Sequence, residues 1–552
     1  MNRYVFFAVL LAGVLMRTTM LMDYTLVDGG EVDVYLADEG IVGLMARHIV
    51  EGRSLPVFFY GQDYLGALEA YCAAALFAVL GPGLETLRLV PYLFSLGLLA
   101  LVYRFTYRAS SVAAARWATA LVAVAPMYFL QWNLKARGGF VEHVVLLFVV
   151  MILFWRFYLE HDRRLVTAVG LGISSGLALW VNQLALSYVL VFAALLVFAT
   201  QDRRNFAAAV AGLVLGSSLL LAYNVVHPLA TVRALARKAI VLNRVPVEER
   251  GEDWALRGVE KRVEAVPQGA GKLGLVFGVP PSEALERLGL SEDARTGGPL
   301  TPLRRRLWPI PAVVFGLAWF SCRPRRGADG RLEPVGSAVI LGILMLVTVI
   351  VGYVSPRYML PAYPLAAVMA AILLARLPAP RSGMLAVGAA LVMAFNVAGW
   401  ADAAAMRGGA PQRSDGDPRN AGEQLLDRLE SMGLSRCYSA GPLYHLVFLS
   451  EERVLISPLQ KNRYPAYDRE IERAESICYV FRDDQSRKRQ HLILTDLLEK
   501  SGVTYQTTRV GGYNIFSSFS PRAAITPDLI ARARDPRTEA PAGASAEPGE
   551  AE

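Results

Sequence analysis

Apolar residues along this chain fall into blocks about as long as a helix needs to cross a bilayer, roughly 20 residues, separated by short polar connections. Charge-poor runs of this kind lie near 4–22, 64–81, 87–103, 117–134, 143–158, 165–181, 183–200, 206–226, 307–322, 335–355, 358–375 and 383–400. They predict an all-α polytopic membrane protein with about twelve or thirteen crossings. Pro126, inside 117–134, predicts a broken or re-entrant helix, because proline removes a backbone donor and kinks the rod.

Three stretches depart from the pattern. Residues 23–63 form a first loop in which apolar Ile41, Val42, Leu44, Met45, Ile49 and Val50 interleave with charged Glu39, Arg47 and Glu51. That predicts a helix lying flat in the membrane interface. Residues 227–306 read as a long polar loop. Residues 405–520 are richer in charge and alternate β-rich runs, Arg436-Cys-Tyr-Ser-Ala and Ile477-Cys-Tyr-Val-Phe, with helical stretches such as Glu423 to Leu434. The expectation is a transmembrane domain over 1–404, a small extracytoplasmic α/β domain over 405–520, and a disordered Ala, Pro, Glu and Gly tail over 521–552.

Composition agrees with the pattern. Of 552 residues, 54% are apolar and 19% charged, whereas soluble domains carry about 25% charge and 45–50% apolar residues. This excludes a disordered chain and argues against a conventional cytosolic enzyme. The net charge of +8 does not point to nucleic acid, because much of it sits in short inter-span loops: Arg104, Arg108 and Arg116; Arg163 and Arg164; Arg203 and Arg204; Arg323, Arg325 and Arg326; Arg376 and Arg381. Positive-inside topology distributes charge in this way. It puts 227–306, 355–358, 131–142 and everything after 400 outside. The alternation does not close at the start, where it puts 23–63 inside while Arg3 argues for the outside, so the count is off by one crossing. The first run, Tyr4 to Met22, has a basic beginning and no A-x-A-like end, and reads as an uncleaved signal anchor. The four cysteines, Cys72, Cys322, Cys437 and Cys478, show no zinc spacing. Cys437 and Cys478 are expected as free thiols, with a disulfide outside the membrane as the minor alternative.

Candidate chemistry concentrates in a few places. Asp38-Glu39 begins the first-loop helix, and Tyr60-Gly-Gln-Asp-Tyr64 precedes the second span. A carboxylate at Asp38 serves either as an N-terminal cap or as a general base toward an acceptor hydroxyl. Lys135 and Arg137 in Trp132-Asn-Leu-Lys-Ala-Arg-Gly-Gly-Phe140, and Arg357 followed by Tyr358, lie on the predicted outer side, against the positive-inside rule. A lipid phosphate would account for them, and snorkelling to ordinary headgroups is the alternative. Glu69, Glu142 and His143 are ionisable groups within or beside apolar runs, where such groups are costly and functional by default. Glu142 also has a structural reading, as a partner for Arg137. Gly170-Leu-Gly172-Ile-Ser-Ser-Gly176 has the wrong spacing for a phosphate loop and reads as a helix-packing face. Walker A, HExxH and GxSxG patterns are absent.

Asp38-Glu39, Tyr60-Gly-Gln-Asp-Tyr-Leu-Gly66, Leu68-Glu-Ala70, Leu80-Gly81 with Arg88-Leu-Val-Pro91, and Pro356-Arg-Tyr-Met-Leu-Pro-Ala-Tyr-Pro364 together resemble the GT-C membrane glycosyltransferases. The nearest likeness is to the bacterial family 39 type, related to protein O-mannosyltransferases and lipid A aminoarabinose transferases, and it spans roughly 4–400. The resemblance implies inverting transfer of a sugar from a polyprenyl-phosphate donor to an envelope glycan, lipid or protein acceptor, at the outer face of the bacterial inner membrane. Asp38 would be the base and Glu39 its partner. Tyr60, with Gln62, Asp63, Tyr64, Glu69 and Glu142, would line the substrate pocket, and Arg357 or Tyr358 would approach the donor phosphate. Aminoarabinose transferases carry a Lys-Pro where this chain has Asp63-Tyr64, so Lys135 or Arg137 would replace the missing lysine. Related enzymes differ in their need for a divalent metal, and Asp38 with Glu39 is a thin ligand set for one. Two other readings are a transporter or flippase of lipid-linked intermediates, suggested by Glu69 and Glu142, and a noncatalytic assembly protein working through residues 410–520.

Overall fold

A computed structural model describes residues 1–22, 36–158, 160–199, 203–243, 277, 341–345, 347–348, 356–378, 381–408, 421–459, 462–482, 494–495, 498–500 and 502–521. The expected span at 307–322, most of that at 335–355, most of the 227–306 loop and the tail lie outside these residues. The chain divides into two compact units, one of Met1–Glu31 with Met45–Pro411 and one of Val32–Leu44 with Gln412–Glu552.

In chain order the first unit runs from α1 (Arg3–Met22) to α2 (Leu36–Val50), whose first residues belong to the second unit. A short hairpin follows, β1 (Phe58–Phe59) and β2 (Gln62–Gly66), then α3 (Leu68–Leu80), α4 (Leu84–Ala109), α5 (Val112–Ala123), α6 (Met127–Leu134), α7 (Phe140–Tyr158), α8 (Leu165–Val181), α9 (Ala185–Ala199), α10 (Arg203–Gly216), α11 (Ser218–Val226) and α12 (Ala230–Asn243). After a 3-10 turn at Pro356–Met359 come α13 (Ala362–Arg376) and α14 (Arg381–Gly408). Among the described residues, five helices are long and apolar enough to cross a membrane, or seven if each of two bent helix pairs is one span. This is a multi-pass membrane protein.

The break expected at Pro126 is present: α5 and α6 meet at 79°. Ending a helix inside an apolar bundle leaves its last carbonyls without partners, which is costly where no water reaches them. Here each one is met. Tyr363 Oη donates to the Leu121 carbonyl at 3.0 Å, Arg17 to the Val122 carbonyl at 2.9 Å and also to that of Ala123, and Asn396 Nδ2 to the Val124 carbonyl at 2.9 Å. Arg17 itself is fully buried in α1, with its Nε donating to Ser95 Oγ at 3.0 Å.

The glycine-rich run of α8 is a packing face, as expected. A methyl group on Gly172 or Gly176 would strike the backbone of α10 or the residue after it, and one on Gly212 or Gly216 would strike α8 in return. This is the close crossing that small residues four apart allow between apolar helices. The first-loop helix is α2. Its Glu39, Gly40 to Ala46 and His48 are buried, and only Asp38, Arg47, Ile49 and Val50 among the described side chains keep exposure.

The second unit is an α/β domain: α15 (Ala421–Ser431), β3 (Arg436–Ser439), α16 (Tyr444–Leu449), β4 (Leu455–Pro458), α17 (Ala466–Arg473), β5 (Cys478–Arg482), β6 (Thr504–Val510) and β7 (Tyr513–Ser520). The sheet order is β4-β3-β5-β7-β6, with β3 parallel to β4 and β5, and β7 antiparallel to β5 and β6. Strand β4 is buried along its whole length, as a parallel strand covered on both faces should be, while the edge strand β6 alternates toward solvent. Gly511 and Gly512, both at positive φ, form the two-residue turn that joins β6 to β7. Cys437 and Cys478 stand opposite each other in the β3–β5 register and form a disulfide, which corrects the expectation of free thiols. The register brings together two residues 41 apart, and no cysteine motif records that.

Candidate active site

The cationic loop between α6 and α7 is built by two glycines. Gly138 and Gly139 have φ of 77° and 83°, and a side chain at Gly138 would collide with Phe59 and Leu65. Only glycine turns the chain here at so little steric cost. The Gly138 N–H donates to the Glu69 carboxylate from α3, and Asn182 Nδ2 donates to the Gly139 carbonyl at 3.3 Å. Two neighbours therefore fix the turn whose previous residues are Lys135 and Arg137, both buried.

Two of the three predicted cations, Arg137 from this turn and Arg357 from the 3-10 turn, meet at one indole. The Arg137 guanidinium carbon lies 4.1 Å from the Trp132 ring centroid, and that of Arg357, from the 3-10 turn, lies 5.8 Å from the same centroid. Arg357 is also 5.8 Å from Phe140 and 5.1 Å from Tyr358, and its Nη2 donates to Tyr358 Oη at 3.3 Å. Phe140 stacks on Tyr358 at 6.4 Å and meets Trp132 edge-on at 5.2 Å. Aromatic faces offset part of the cost of desolvating a guanidinium, by about 0.5–2 kcal/mol each. Sharing one ring also limits the separation of the two cations to about 10 Å, where their repulsion is about 2 kcal/mol or more at an effective dielectric near 20. An anion between them would relieve that repulsion, and a phosphate matches the forked donors.

The acidic residues are distributed more widely. Glu69 holds the cationic loop. Glu142, in the first turn of α7, is buried, and neither carboxylate oxygen has a hydrogen-bond partner, so the pairing with Arg137 does not form. His143 Nδ1 and Tyr188 Oη are also buried without partners, with ring centroids 5.4 Å apart. In the hairpin, Asp63 accepts from Tyr223 Oη of α11 at 2.9 Å, and Tyr60 Oη bonds His48 Nδ1 at 2.9 Å. Gln62 and Tyr64 are half-buried on β2. Trp180 Nε1 donates to the Val57 carbonyl at 2.9 Å, tying the hairpin approach to α8.

Asp38 and Glu39 occupy the first turn of α2. Glu39 is buried, whereas Asp38 is 38% exposed and its Oδ1 lies 3.0 Å from Arg463 Nη1, in the same compact unit. Among the described residues no three His, Cys, Asp or Glu side chains converge on a metal position. Asp38 with Glu39 does not by itself make a ligand set for a divalent ion.

No protein-family model and no curated protein matches the chain. Solved structures do. ArnT from Cupriavidus metallidurans bound to undecaprenyl phosphate matches with a TM-score of 0.55 and 14% identity over 93% of this chain and 97% of that one. The same protein in the apo state gives 0.51 and 13% over 89% and 94%. The Archaeoglobus fulgidus oligosaccharyltransferase in complex with Zn and sulfate gives 0.50 and 14% over 93% and 72%. The chain has the GT-C glycosyltransferase fold.

Within this GT-C fold, sequence reasoning missed four residues of consequence. Trp132 and Phe140 look like ordinary apolar positions beside a span, and nothing local marks them as a cation platform. Arg17 was legible in principle as a lone charge inside an apolar run. Arg463 lies 425 positions from Asp38 along the chain, and no local pattern connects the two.

Proposed function

We propose that the protein is an integral membrane glycosyltransferase that moves a sugar from a polyprenyl-phosphate donor to an envelope glycan, lipid or protein acceptor, with inversion at the anomeric carbon. The observation that carries this reading is the clamp in which Arg137 and Arg357 share the Trp132 ring, on a fold whose solved relative ArnT binds undecaprenyl phosphate. The clamp, with Tyr358 beside it and Lys135 in the same loop as Arg137, holds the donor phosphate and stabilises the charge that grows on it as the sugar departs. Asp38 accepts the proton of the acceptor hydroxyl. The acceptor oxygen bonds the anomeric carbon from the opposite face while the bond to the phosphate oxygen breaks, and polyprenyl phosphate leaves with the electron pair. Glu39 orients Asp38, while Tyr60, Gln62, Asp63, Tyr64, Glu69 and Glu142 shape the sugar and acceptor pocket. The reaction takes place at the extracytoplasmic face of the bacterial inner membrane, where the 405–520 domain also resides.

The test pairs binding with turnover in purified full-length protein in lipid nanodiscs, with undecaprenyl phosphate as the binding probe and lipid-linked sugars extracted from the producing cells as donor. Arg357→Ala should weaken binding about tenfold or more, the loss of a charge-assisted contact. Asp38→Asn should leave binding intact and abolish release of polyprenyl phosphate. Normal turnover by a folded Asp38→Asn protein overturns the assignment. The unpartnered Glu142 carboxylate favours a second reading, transport of a lipid-linked intermediate. Vesicle transport that survives Asp38→Asn and is lost in Glu142→Gln would establish it instead.

A further inference from the structure

The proposed base is held by the α/β domain, and the hold is built rather than incidental. In an open α/β sheet the loops at the carboxyl ends of the parallel strands form the ligand-binding edge. Here the loops following β3 and β4 receive the first half of α2. Gly40 lies so close to the backbone of Tyr444 and His445, where α16 begins after β3, that a methyl group there would collide with it. Gly43 abuts the Phe448 ring in the same way. The loop following β4 carries Arg463, whose guanidinium pairs with Asp38 at 3.0 Å.

Its residues Asn462 to Tyr464 are pinned by a chain of hydrogen bonds. The Arg463 N–H donates to Tyr444 Oη at 2.7 Å, and Tyr444 Oη donates to Asn462 Oδ1 at 3.0 Å, which also accepts the Tyr464 N–H at 2.8 Å. Asn462 Nδ2 donates to Asp468 and to Ser457, and Ser457 Oγ donates to Asp468. Burial pushes the Tyr444 phenol up to about 12, so it keeps its proton and remains the donor. Each member is fixed by the next, and the network ends at Ser457 in the buried strand β4. A surface ion pair of two free side chains contributes little, because both must be ordered to form it. Here the backbone under Arg463 is already ordered.

From this arrangement we infer that Arg463 is a positioning residue for Asp38, and that the α/β domain, in whose compact unit both residues lie, holds the base in its reactive orientation. The inference rests on the glycosyltransferase reading above and adds to it a role for residues 405–520. Displacing a reacting group by about 1 Å can cost on the order of 100-fold in rate, so an orienting contact of this kind shows in kcat.

The experiment uses the full chain in nanodiscs, the extracted lipid-linked sugars as donor, and release of polyprenyl phosphate as readout. Arg463→Ala should lower kcat about 10–100-fold with the donor KM changed less than about threefold, and Arg463→Lys, which restores the positive charge, should recover most of the loss. Tyr444→Phe, which removes the network's donor to Asn462, should lower kcat about 3–10-fold. Arg453→Ala, which breaks an exposed pair with Glu430 in the same domain, should change nothing, and undecaprenyl phosphate binding should be unaltered in every variant. Wild-type kcat in folded Arg463→Ala alongside an inactive Asp38→Asn overturns the positioning role and leaves the function standing. Wild-type kcat in both overturns the function itself. Should Arg463→Ala fail to fold, Tyr444→Phe decides, and an unchanged kcat there overturns the inference.

Discussion

Trp132 shows how one residue can organise charge in a membrane protein. It accepts Arg137 at 4.1 Å and Arg357 at 5.8 Å on a single ring system, with Phe140 packed edge-on against it. Trp132→Leu keeps an apolar but smaller side chain and removes the electron-rich face, and each cation loses roughly 0.5–2 kcal/mol of stabilisation. We therefore expect Trp132→Leu to weaken undecaprenyl phosphate binding about 3–30-fold while helix content stays unchanged, measured by titration and circular dichroism. The arginines were legible from the sequence because they violate the charge rule that other loops obey. The tryptophan was not, because tryptophan is common at membrane interfaces for reasons unrelated to cations.

At the scale of an element, the broken helix carries the argument. Pro126 announced the break, but not how the freed carbonyls would be satisfied, because the partners come from α1, α13 and α14, more than a hundred residues away in either direction. Arg17 alone serves two of them. Arg17→Leu fits an apolar side chain into an apolar bundle but strands the Val122 and Ala123 carbonyls, each at about 1–3 kcal/mol. A thermal melt in detergent should show a loss of roughly 2–5 kcal/mol, and Asn396→Leu, which strands only Val124, about half as much. A melt unchanged by Arg17→Leu would mean that the break is satisfied in another way. The glycine crossing of α8 and α10 makes the opposite case. Small residues at fixed spacing record a close approach in the sequence itself, so that contact was legible where the capping was not.

For the whole molecule, the change from apolar blocks to a charged α/β stretch is visible in the sequence, but not that residues 32–44 belong with the latter, since nothing local connects a first-loop helix to a sheet some 400 positions later. The Cys437–Cys478 disulfide bears on what that association does. Closing a loop of 41 residues removes about 4 kcal/mol of unfolded-state freedom, and the bond joins β3 to β5 at the centre of the sheet. If the domain holds Asp38 while the Arg137 and Arg357 clamp belongs to the other unit, loosening the sheet should separate the two functions. The double variant Cys437→Ala/Cys478→Ala should therefore lose sugar transfer on warming at a temperature where the wild type remains active, while its affinity for undecaprenyl phosphate at that temperature matches the wild type. Parallel loss of binding and turnover would show that the disulfide supports the whole protein and not the base alone. Loss of neither would show that the hold on Asp38 does not depend on the sheet that carries Arg463.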